Sequence, residues 1–452
     1  MLQIIFLFVK SGNVRYNYYI LKKYEVYHLK DPLTGLDSYE EFVPKLQALI
    51  DNLDDKIIVI DYSDIKHFKY FNDTYSYKTG NELLADYANL LINNKDNFLY
   101  GSRVVSDNMV TVGLYDFDNK DDLHQQICIR NRLIEHALRK KYKCNRLRIC
   151  TGMYFISKHN NNIDAETVIS NCNLARKIAR ENSREDSVVI FKEEMSSKIN
   201  HEIEILSTID SAIKNNELIT YYQPKINSET GVICGAEALV RWKKPDGTII
   251  YPDQFVPIIE RSGQIIQVDY FMYQQIFQFI SERFKAGKSI VPISINVSRQ
   301  HFKKLEIINY VKSLQRVYDI PPQYVEFEIT ETVCMEDTAK AMNFIRTFHD
   351  MGFKVSMDDF GSGYSSLYLL SELPIDIIKM DKCFLQSDNL HDKERVIISN
   401  IINMTHQLDI TALCEGVETS QQSEFLKSVG CDIQQGFYFS RPVSGEKFLE
   451  KL

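Results

Sequence analysis

Short apolar runs alternate with longer stretches in which apolar positions recur every three or four residues, along both halves of the chain. The short β-rich runs predict buried strands, and the longer periodic stretches predict amphipathic helices. Because the two kinds of segment alternate, the pattern predicts an α/β architecture in both halves rather than an all-α or all-β fold.

The second half contains apolar, β-rich runs that are each expected to be followed by a helical pattern. There are eight of them: ITYYQPKI, CGAEALVRW, VPISINV, VEFEITE, KVSMDD, IDIIKMD, ITALCEGVE and DIQQGFYF. Eight strand-helix units in succession predict a (β/α)8 barrel, in which functional side chains lie at the carboxyl ends of the strands.

A polar, charged stretch, FKEEMSSKINHEI at residues 191–203, separates the two halves and places a domain boundary near Lys198. It contains no Pro- or Gly-rich linker, so we expect a helical, semi-rigid junction. The predicted organisation is an apolar N-terminal segment, a first domain, the junction and a second domain, at residues 1–28, 29–192, 193–203 and 204–452.

The composition excludes several classes of protein. With 44% hydrophobic and 25% charged residues in 452 positions, the chain has the composition of a folded enzyme. Its net charge of -8 argues against a polymeric nucleic acid as partner. Nine cysteines without a C-x-x-C pair fit a reducing cytoplasm. The first nine residues, MLQIIFLFV, are too few to span a bilayer, so membrane association is a minor alternative to packing on the body or on a dimer mate.

Polar residues lie near the carboxyl ends of seven of the predicted strands: Glu237, Asn296, Glu328, Asp358, Lys379, Glu415 and Gln435. In a barrel these ends meet at one mouth. Any one of these side chains is more often a surface or capping residue than part of a site. Their occurrence on successive strands favours a common site.

Acidic and amide oxygens dominate this group. Glu237, Asn296, Glu328, Asp358 and Asp359 offer oxygen ligands with no zinc-type Cys or His pattern, which fits Mg²⁺ or Mn²⁺. Buried carboxylates also repel one another unless cations are present. Because adjacent aspartates can serve two ions, a two-metal site is predicted, and its chemistry is phosphodiester hydrolysis.

The same residues lie in motifs that resemble the EAL family of cyclic di-GMP phosphodiesterases, from about residue 199 to the C-terminus. These motifs are YYQP, EALVRW, INVS, EITE, DDFGSGYSS, IKMD, EGVE and QGFYFSRP. The resemblance implies a barrel that hydrolyses cyclic di-GMP to a linear dinucleotide with two metal ions. It implies metal ligation by Glu237, Asn296, Glu328 and Asp358, with Asp359 bridging or binding the second ion.

The resemblance also implies roles for the remaining residues. Lys379 would orient the attacking water, and Glu415 would belong to the shell of the second metal with Gln435 as its partner. Glu331 resembles the residue that holds the DDFGSG loop, whose glycines are Gly361 and Gly363. Arg241 and Gln223 would hold substrate, since a guanidinium donates two parallel hydrogen bonds to a phosphate.

Residues 29–191 resemble a GGDEF domain, the diguanylate cyclase partner commonly found upstream of an EAL domain. The motif DPLTGL is present, and DIKHFKYFND retains the metal-type Asp64 and the guanine-type Asn72. Elsewhere the pattern is degenerate. VSDNM, at residues 105–109, replaces the GGDEF motif itself, so a valine and a serine replace two turn glycines.

Further departures affect the chemistry of this first domain. Asn108 replaces an acidic residue, and Asn81 replaces an aspartate that would accept two guanine hydrogen bonds. Residues 96–99 lack the R-x-x-D motif of product inhibition. We therefore expect no cyclase activity. Asp64 and Asp107 remain as candidate metal ligands, and whether GTP or another nucleotide binds stays open beside a purely structural or dimerising role.

Three functions compete at this point. The first is a cyclic di-GMP phosphodiesterase in the cytoplasm, expected as a homodimer. The second is a non-catalytic cyclic di-GMP-binding signalling protein, against which the complete ligand set argues. The third is a bifunctional cyclase and hydrolase, against which VSDNM and Asn81 argue.

Overall fold

The computed structural model describes residues 30–93, 98–115, 120–158, 162–181, 187–361, 367–385 and 392–452. The predictions for the apolar N-terminal segment, for Gly363 and for residues 96 and 97 lie outside these ranges. The described chain divides into two compact units between Asn200 and His201. No helix in these ranges combines the length and the apolar character needed to cross a membrane.

The first unit contains five strands and the helices that pack on them. The strands are β1 (Ile57–Ile65), β2 (Phe98–Val105), β3 (Asn108–Tyr115), β4 (Ile149–Ile156) and β5 (Val188–Ile190). The helices are α1 (Tyr39–Asp51), α2 (Phe68–Tyr75), α3 (Tyr77–Ile92), α4 (Lys120–Tyr142) and α5 (Ala165–Glu181). The helix α6 (Glu193–Lys214) contains the point of division between the units.

The sheet of the first unit has the order β2-β3-β1-β4-β5. Its central strand, β1, is antiparallel to both β3 and β4, and all nine of its residues are buried. A strand that is buried on both faces is a continuous apolar run, as the residues Ile57 to Ile60 are. Asp64 lies at the carboxyl end of this strand.

The second unit contains the remaining strands, β6 (Leu218–Asn227), β7 (Ile233–Lys243), β8 (Ile249–Ile250), β9 (Ile293–Asn296), β10 (Val325–Thr330), β11 (Lys354–Phe360), β12 (Ile377–Met380), β13 (Thr411–Cys414), β14 (Ile433–Gln434) and β15 (Val443–Ser444). Its helices are α7 (Pro252–Ser262), α8 (Ile265–Lys285), α9 (Ile307–Tyr318), α10 (Glu331–Glu336), α11 (Thr338–Asp350), α12 (Leu367–Glu372), α13 (Asp392–Gln407), α14 (Ser420–Ser428) and α15 (Gly445–Leu449). Short 3-10 helices occupy Arg299–Lys303, Pro322–Tyr324 and Lys382–Leu385.

Eight of these strands close into a barrel in the order β6-β7-β9-β10-β11-β12-β13-β14, and β14 pairs with β6 to complete the ring. The predicted eight-stranded barrel is confirmed. One detail of the prediction was wrong, because β6 is antiparallel to both of its neighbours and no helix follows it. Only five residues separate β6 from β7, which is the length of a hairpin loop rather than of a helical crossover.

The core of the second unit lies between the barrel and its helices. Phe327 on β10 packs edge-on against Phe348 of α11 and against Phe353, with ring centroids 4.6 and 5.3 Å apart. All three side chains are buried. This outer layer holds the strands in place, so the side chains that point into the barrel are free to be polar.

Candidate active site at the mouth of the barrel

The barrel brings polar side chains from different strands into one interior. Successive side chains of a strand point to opposite faces, so Gln223 and Lys225 of β6 share the inner face, as do Glu326 and Glu328 of β10. Glu237 pairs in register with Gln223. It lies in the middle of β7 rather than at its end, because β7 continues beyond the barrel to pair with β8.

Lys379, on β12, is the centre of this interior and is fully buried. Its Nζ lies 2.7 Å from Glu328 Oε2, 2.8 Å from Glu415 Oε1 and 3.0 Å from Asp358 Oδ1. Glu237 Oε2 is 3.7 Å away. Four carboxylates predicted from different strands therefore converge on one ammonium group.

A second buried lysine, which the sequence analysis missed, lies deeper in the barrel. Lys225 Nζ lies 3.0 Å from Glu326 Oε1 and 3.1 Å from Glu328 Oε1. All three side chains are buried. Side chains two positions apart on a strand point to the same face, so Gln223 and Lys225, the first and third residues of QPK, share the interior. This alternation is the signal that could have identified Lys225.

Glu237 is held by two amides. Asn296 Nδ2 donates to Glu237 Oε1 at 3.1 Å, and Gln435 Nε2 donates to Glu237 Oε2 at 2.6 Å. Gln435 also donates to Gln223 Oε1 at 3.3 Å. The Gln435 amide therefore faces β7 and β6 in this structure, and its partnership with Glu415 at a bound metal stays a prediction.

The two adjacent aspartates differ in environment. Asp358 is buried, whereas Asp359 is exposed and adopts a left-handed conformation with φ 57°. The pairing of β11 with β12 is irregular between Met357 and Phe360, so the strand changes register where these carboxylates occur. Just beyond them, Gly361 N donates to Glu331 Oε2 at 3.1 Å. This contact joins the start of the DDFGSG loop to α10.

Arg241 lies on β7 with its guanidinium between two aromatic rings. Its Cζ is 5.5 Å from the centroid of Tyr221 and 5.4 Å from that of Tyr251. Nη1 donates to the Val240 carbonyl at 2.8 Å, and the buried Nε has no hydrogen-bond partner. Burial lowers the pKa of Arg241. An anionic group is the natural ligand for this unsatisfied cation.

The electrostatics show that the two lysines do not compensate the whole cluster. Burial acts to raise the pKa of Glu328, but the combined attraction of Lys379 and Lys225 outweighs it and lowers that pKa to about 2. Burial raises the pKa of Glu237 and of Asp358 in spite of Lys379. It also raises the pKa of Glu415 to about 8. Burial is the main cause of these raised values, and the excess of neighbouring carboxylates over ammonium groups adds to it.

The same excess follows from counting. Five carboxylates (Glu237, Glu326, Glu328, Asp358 and Glu415) share two ammonium groups, so full ionisation leaves three negative charges. Within the described ranges, no three His, Cys, Asp or Glu side chains are gathered as the ligands of one metal ion, since the carboxylates turn toward Lys379. The oxygen donor set and the charge excess nevertheless fit hard divalent cations.

The first unit treats its metal-type carboxylate differently. Asp64 Oδ2 accepts hydrogen bonds from the guanidinium groups of both Arg176 and Arg180, which lie on α5. Helix α5 approaches β4 closely because Gly152 has no side chain, and a Cβ there would lie 1.9 Å from the Cys172 carbonyl oxygen. Burial raises the pKa of Asp64 against the attraction of these arginines. Oδ2 of Asp64 is therefore paired, whereas its buried Oδ1 has no hydrogen-bond partner.

The other residues predicted for the first unit lie in two places. Asp107 Oδ2 accepts from Ile65 N at 3.0 Å, so Asp107 lies beside Asp64, and Asn108 Nδ2 donates to the Val105 carbonyl at 3.1 Å. The buried Oδ1 of Asn72 has no hydrogen-bond partner and lies against Gly80, 1.8 Å from where a Cβ of that residue would be. Asn81, which follows Gly80, is exposed.

Comparison with known families agrees with this geometry. The EAL domain model matches residues 207–442, so the chain belongs to the EAL domain family. The model named diguanylate cyclase, GGDEF domain, matches residues 28–186, ahead of the EAL match. The chain is thus a GGDEF domain followed by an EAL barrel.

Particular relatives are similar to this chain across both of its units. The signaling protein YkoW of Bacillus subtilis is 28% identical over 86% of this chain and 48% of the relative. MucR of Pseudomonas aeruginosa, named a bifunctional diguanylate cyclase and cyclic di-GMP phosphodiesterase, is 27% identical over 93% of this chain and 61% of the relative. The chain therefore spans about half the length of these curated relatives.

A solved structure described as the PaMucR phosphodiesterase in complex with c-di-GMP is similar to the barrel. It is 31% identical, with a TM-score of 0.52, and the match covers 54% of this chain and 99% of that one. The likeness concerns the EAL unit.

Proposed function

We propose that the protein is a cyclic di-GMP phosphodiesterase that hydrolyses its substrate to the linear dinucleotide pGpG. The observation that carries this proposal is the cluster of four carboxylates around the buried Lys379 at the barrel mouth. Membership of the EAL domain family and the relatives named as cyclic di-GMP phosphodiesterases support the choice of substrate.

The ligand set for two Mg²⁺ or Mn²⁺ ions is Glu237, Asn296, Glu328, Asp358 and Asp359. When bound, such ions lower the pKa of a coordinated water and stabilise charge on the phosphate oxygens. Their positive charge compensates the three negative charges that the two lysines leave.

Lys379 acts as a hydrogen-bond donor to the attacking water. Burial acts to lower its pKa, but the surrounding carboxylates raise that pKa well above the ordinary value. The amine is therefore protonated at neutral pH and orients water by donation rather than by accepting its proton. In the reaction a bond forms between the water oxygen and phosphorus, the bond from phosphorus to the 3′ oxygen breaks, and that oxygen gains a proton.

The substrate is held on the β6 and β7 side of the mouth. Arg241 offers a buried guanidinium donor to a phosphate oxygen, stacked between two tyrosine rings. Gln223 and Gln435 form a linked amide pair beside Glu237. Glu331 holds Gly361 and so orders the start of the loop that carries the aspartates.

The first unit has a regulatory role without cyclase activity in this proposal. Asp64 is engaged by two arginines, and residues 105–109 lack the turn glycines of the GGDEF motif. Homodimer formation and a cytoplasmic location complete the proposal.

The test is incubation of the purified protein with cyclic di-GMP and Mg²⁺ or Mn²⁺, followed by chromatography of the products. We expect pGpG, and we expect none after EDTA treatment. Binding of cyclic di-GMP without turnover in either metal would overturn the proposal and favour a non-catalytic signalling protein.

A further inference from the structure

The oxygens of Glu328 are held from two sides of the barrel. Lys379 of β12 contacts Oε2 at 2.7 Å, and Lys225 of β6 contacts Oε1 at 3.1 Å. Glu328 is almost completely buried, so water does not compete for either oxygen. The orientation of this carboxylate plane is thus set by two ammonium groups on different strands.

Lys225 is in turn held by a residue outside the mouth. Glu326 precedes Glu328 by two positions on β10, so its side chain lies on the same face, about 7 Å deeper along the strand. Its Oε1 is 3.0 Å from Lys225 Nζ. Glu326 therefore faces the barrel interior beneath the mouth, where it contacts Lys225.

The fold provides space for this arrangement. Lys225 pairs in register with Gly235 of β7. A Cβ at Gly235 would lie 3.5 Å from Lys225 Cδ and 3.2 Å from the Pro292 carbonyl oxygen. The lysine stem therefore packs closely along the backbone of β7 on its way to β10.

We propose that Lys225 and Glu326 are positioning residues for the proposed reaction: Glu326 fixes the Lys225 ammonium, and Lys225 fixes Glu328 in the orientation in which it binds metal. This inference rests on the proposed function. A buried ion pair that served only packing could be replaced by apolar side chains at no cost to metal binding.

The experiment compares full-length variants. Lys225→Met removes the ammonium, and Lys225→Gln keeps a neutral donor of similar length. The double variant Lys225→Met/Glu326→Leu removes one charge of each sign, so the internal charge balance is retained while Glu328 Oε1 loses its partner. Each is measured for thermal unfolding in EDTA, for Mn²⁺ affinity by calorimetry, and for kcat and KM with cyclic di-GMP.

We expect the double variant to unfold near the wild-type temperature but to bind Mn²⁺ and turn over substrate about 10- to 100-fold less well, the usual range for residues that orient metal ligands. KM should change little, and Lys225→Gln should recover part of the loss. Wild-type Mn²⁺ affinity and kcat in the double variant would overturn the proposal.

The matched control is another buried ion pair, Arg130 and Asp61 in the first unit, whose atoms are 2.7 Å apart. Arg130→Met/Asp61→Leu should leave Mn²⁺ affinity unchanged. An equal loss there would attribute the effect to ion-pair removal in general and would also overturn the proposal. Mn²⁺ affinity does not depend on hydrolysis. If the wild-type protein does not turn over cyclic di-GMP, the proposed function is refuted, but the Mn²⁺ affinity of the double variant still decides whether Lys225 and Glu326 position Glu328.

Discussion

At the scale of single residues, Asp64 and the carboxylates around Lys379 are two acidic groups whose charge is neutralised in different ways. Asp64 is paired with two arginines, so its local charge is more than compensated. Lys379 is shared among four carboxylates, so the charge there is not compensated. An acidic residue in a family motif therefore does not by itself define a metal site. The lysines and arginines around it determine how much negative charge remains for a metal ion to compensate.

Lys379→Met is the most direct test of the mouth. Without an oriented donor, kcat should fall by about 100-fold or more with little change in KM, which is the behaviour of an interaction made in the transition state. Steady-state kinetics measure both quantities. A change confined to KM would place Lys379 in substrate binding instead.

Asp64→Asn tests the arginine pairing through the sign of a stability change. Removing one partner of a buried ion pair lowers the free energy of unfolding by about 3–5 kcal/mol. Because burial of the Asp64 carboxylate is itself unfavourable, we expect a loss at or below the low end of that range. In an unfilled cation site, the same change would relieve repulsion from Asp107 and raise the unfolding temperature. Thermal unfolding in EDTA distinguishes the two.

The control for this test is Asp107→Asn. Asp107 accepts one backbone hydrogen bond from Ile65, and no ion pair is described for it. Its replacement should therefore change the free energy of unfolding by less than about 1.5 kcal/mol, the scale of a single hydrogen bond. A greater loss for Asp107→Asn than for Asp64→Asn would contradict the pairing of Asp64 with Arg176 and Arg180.

At the scale of elements, the β2–β3 hairpin keeps a backbone conformation for which its sequence is poorly suited. Ser106 has φ 55°, in the left-handed region that favours glycine, whereas Val105 does not. Of the two residues that replace turn glycines, only Ser106 thus adopts the left-handed conformation. A non-glycine residue in this region costs about 1–2 kcal/mol.

Ser106→Gly should therefore stabilise the first unit. The relief of strain exceeds the backbone entropy that glycine loses on folding, about 0.5–1 kcal/mol, and a net gain near 0.5–1 kcal/mol raises the unfolding temperature by about 2 °C. Calorimetry measures the shift. Asn108→Gly is the control. Asn108 pairs with Val105 in extended conformation, so glycine at this position should destabilise the first unit. A fall in unfolding temperature for Ser106→Gly would refute the strain argument.

The elements also show how far the sequence could predict the structure. Eight apolar runs sufficed for the barrel, because buried strands are locally encoded. The hairpin from β6 to β7 was missed although the five residues between the strands are too few for a helix. Lys225 was missed because it lies inside a strand, where only the alternation of side chains between the two faces shows which ones enter the barrel. Arg176 and Arg180 lie 112 and 116 positions from Asp64, so that pairing depends on tertiary packing that no local pattern carries.

At the scale of the whole molecule, the two acidic groups predict how many divalent ions one chain binds. The barrel mouth has three uncompensated negative charges by the count of its ion pairs, whereas Asp64 has none. Metal ions should therefore bind to the second unit alone. We expect about two Mn²⁺ per chain from the two-metal proposal.

Calorimetry and electron paramagnetic resonance of the full chain measure this stoichiometry. Asp358→Asn should reduce the number of bound Mn²⁺ ions or weaken them at least tenfold, because it removes a ligand charge from a buried site. Asp64→Asn should leave the number unchanged.

The same charge distribution predicts that the first unit makes no cyclic di-GMP, because it has no cation to neutralise the triphosphate during phosphoryl transfer. The test uses the Glu237→Gln variant with GTP and Mn²⁺, since any cyclic di-GMP formed would persist in that variant. Accumulation of labelled cyclic di-GMP in that variant, or loss of a Mn²⁺ ion on replacing Asp64, would show that the first unit binds catalytic metal despite its arginines.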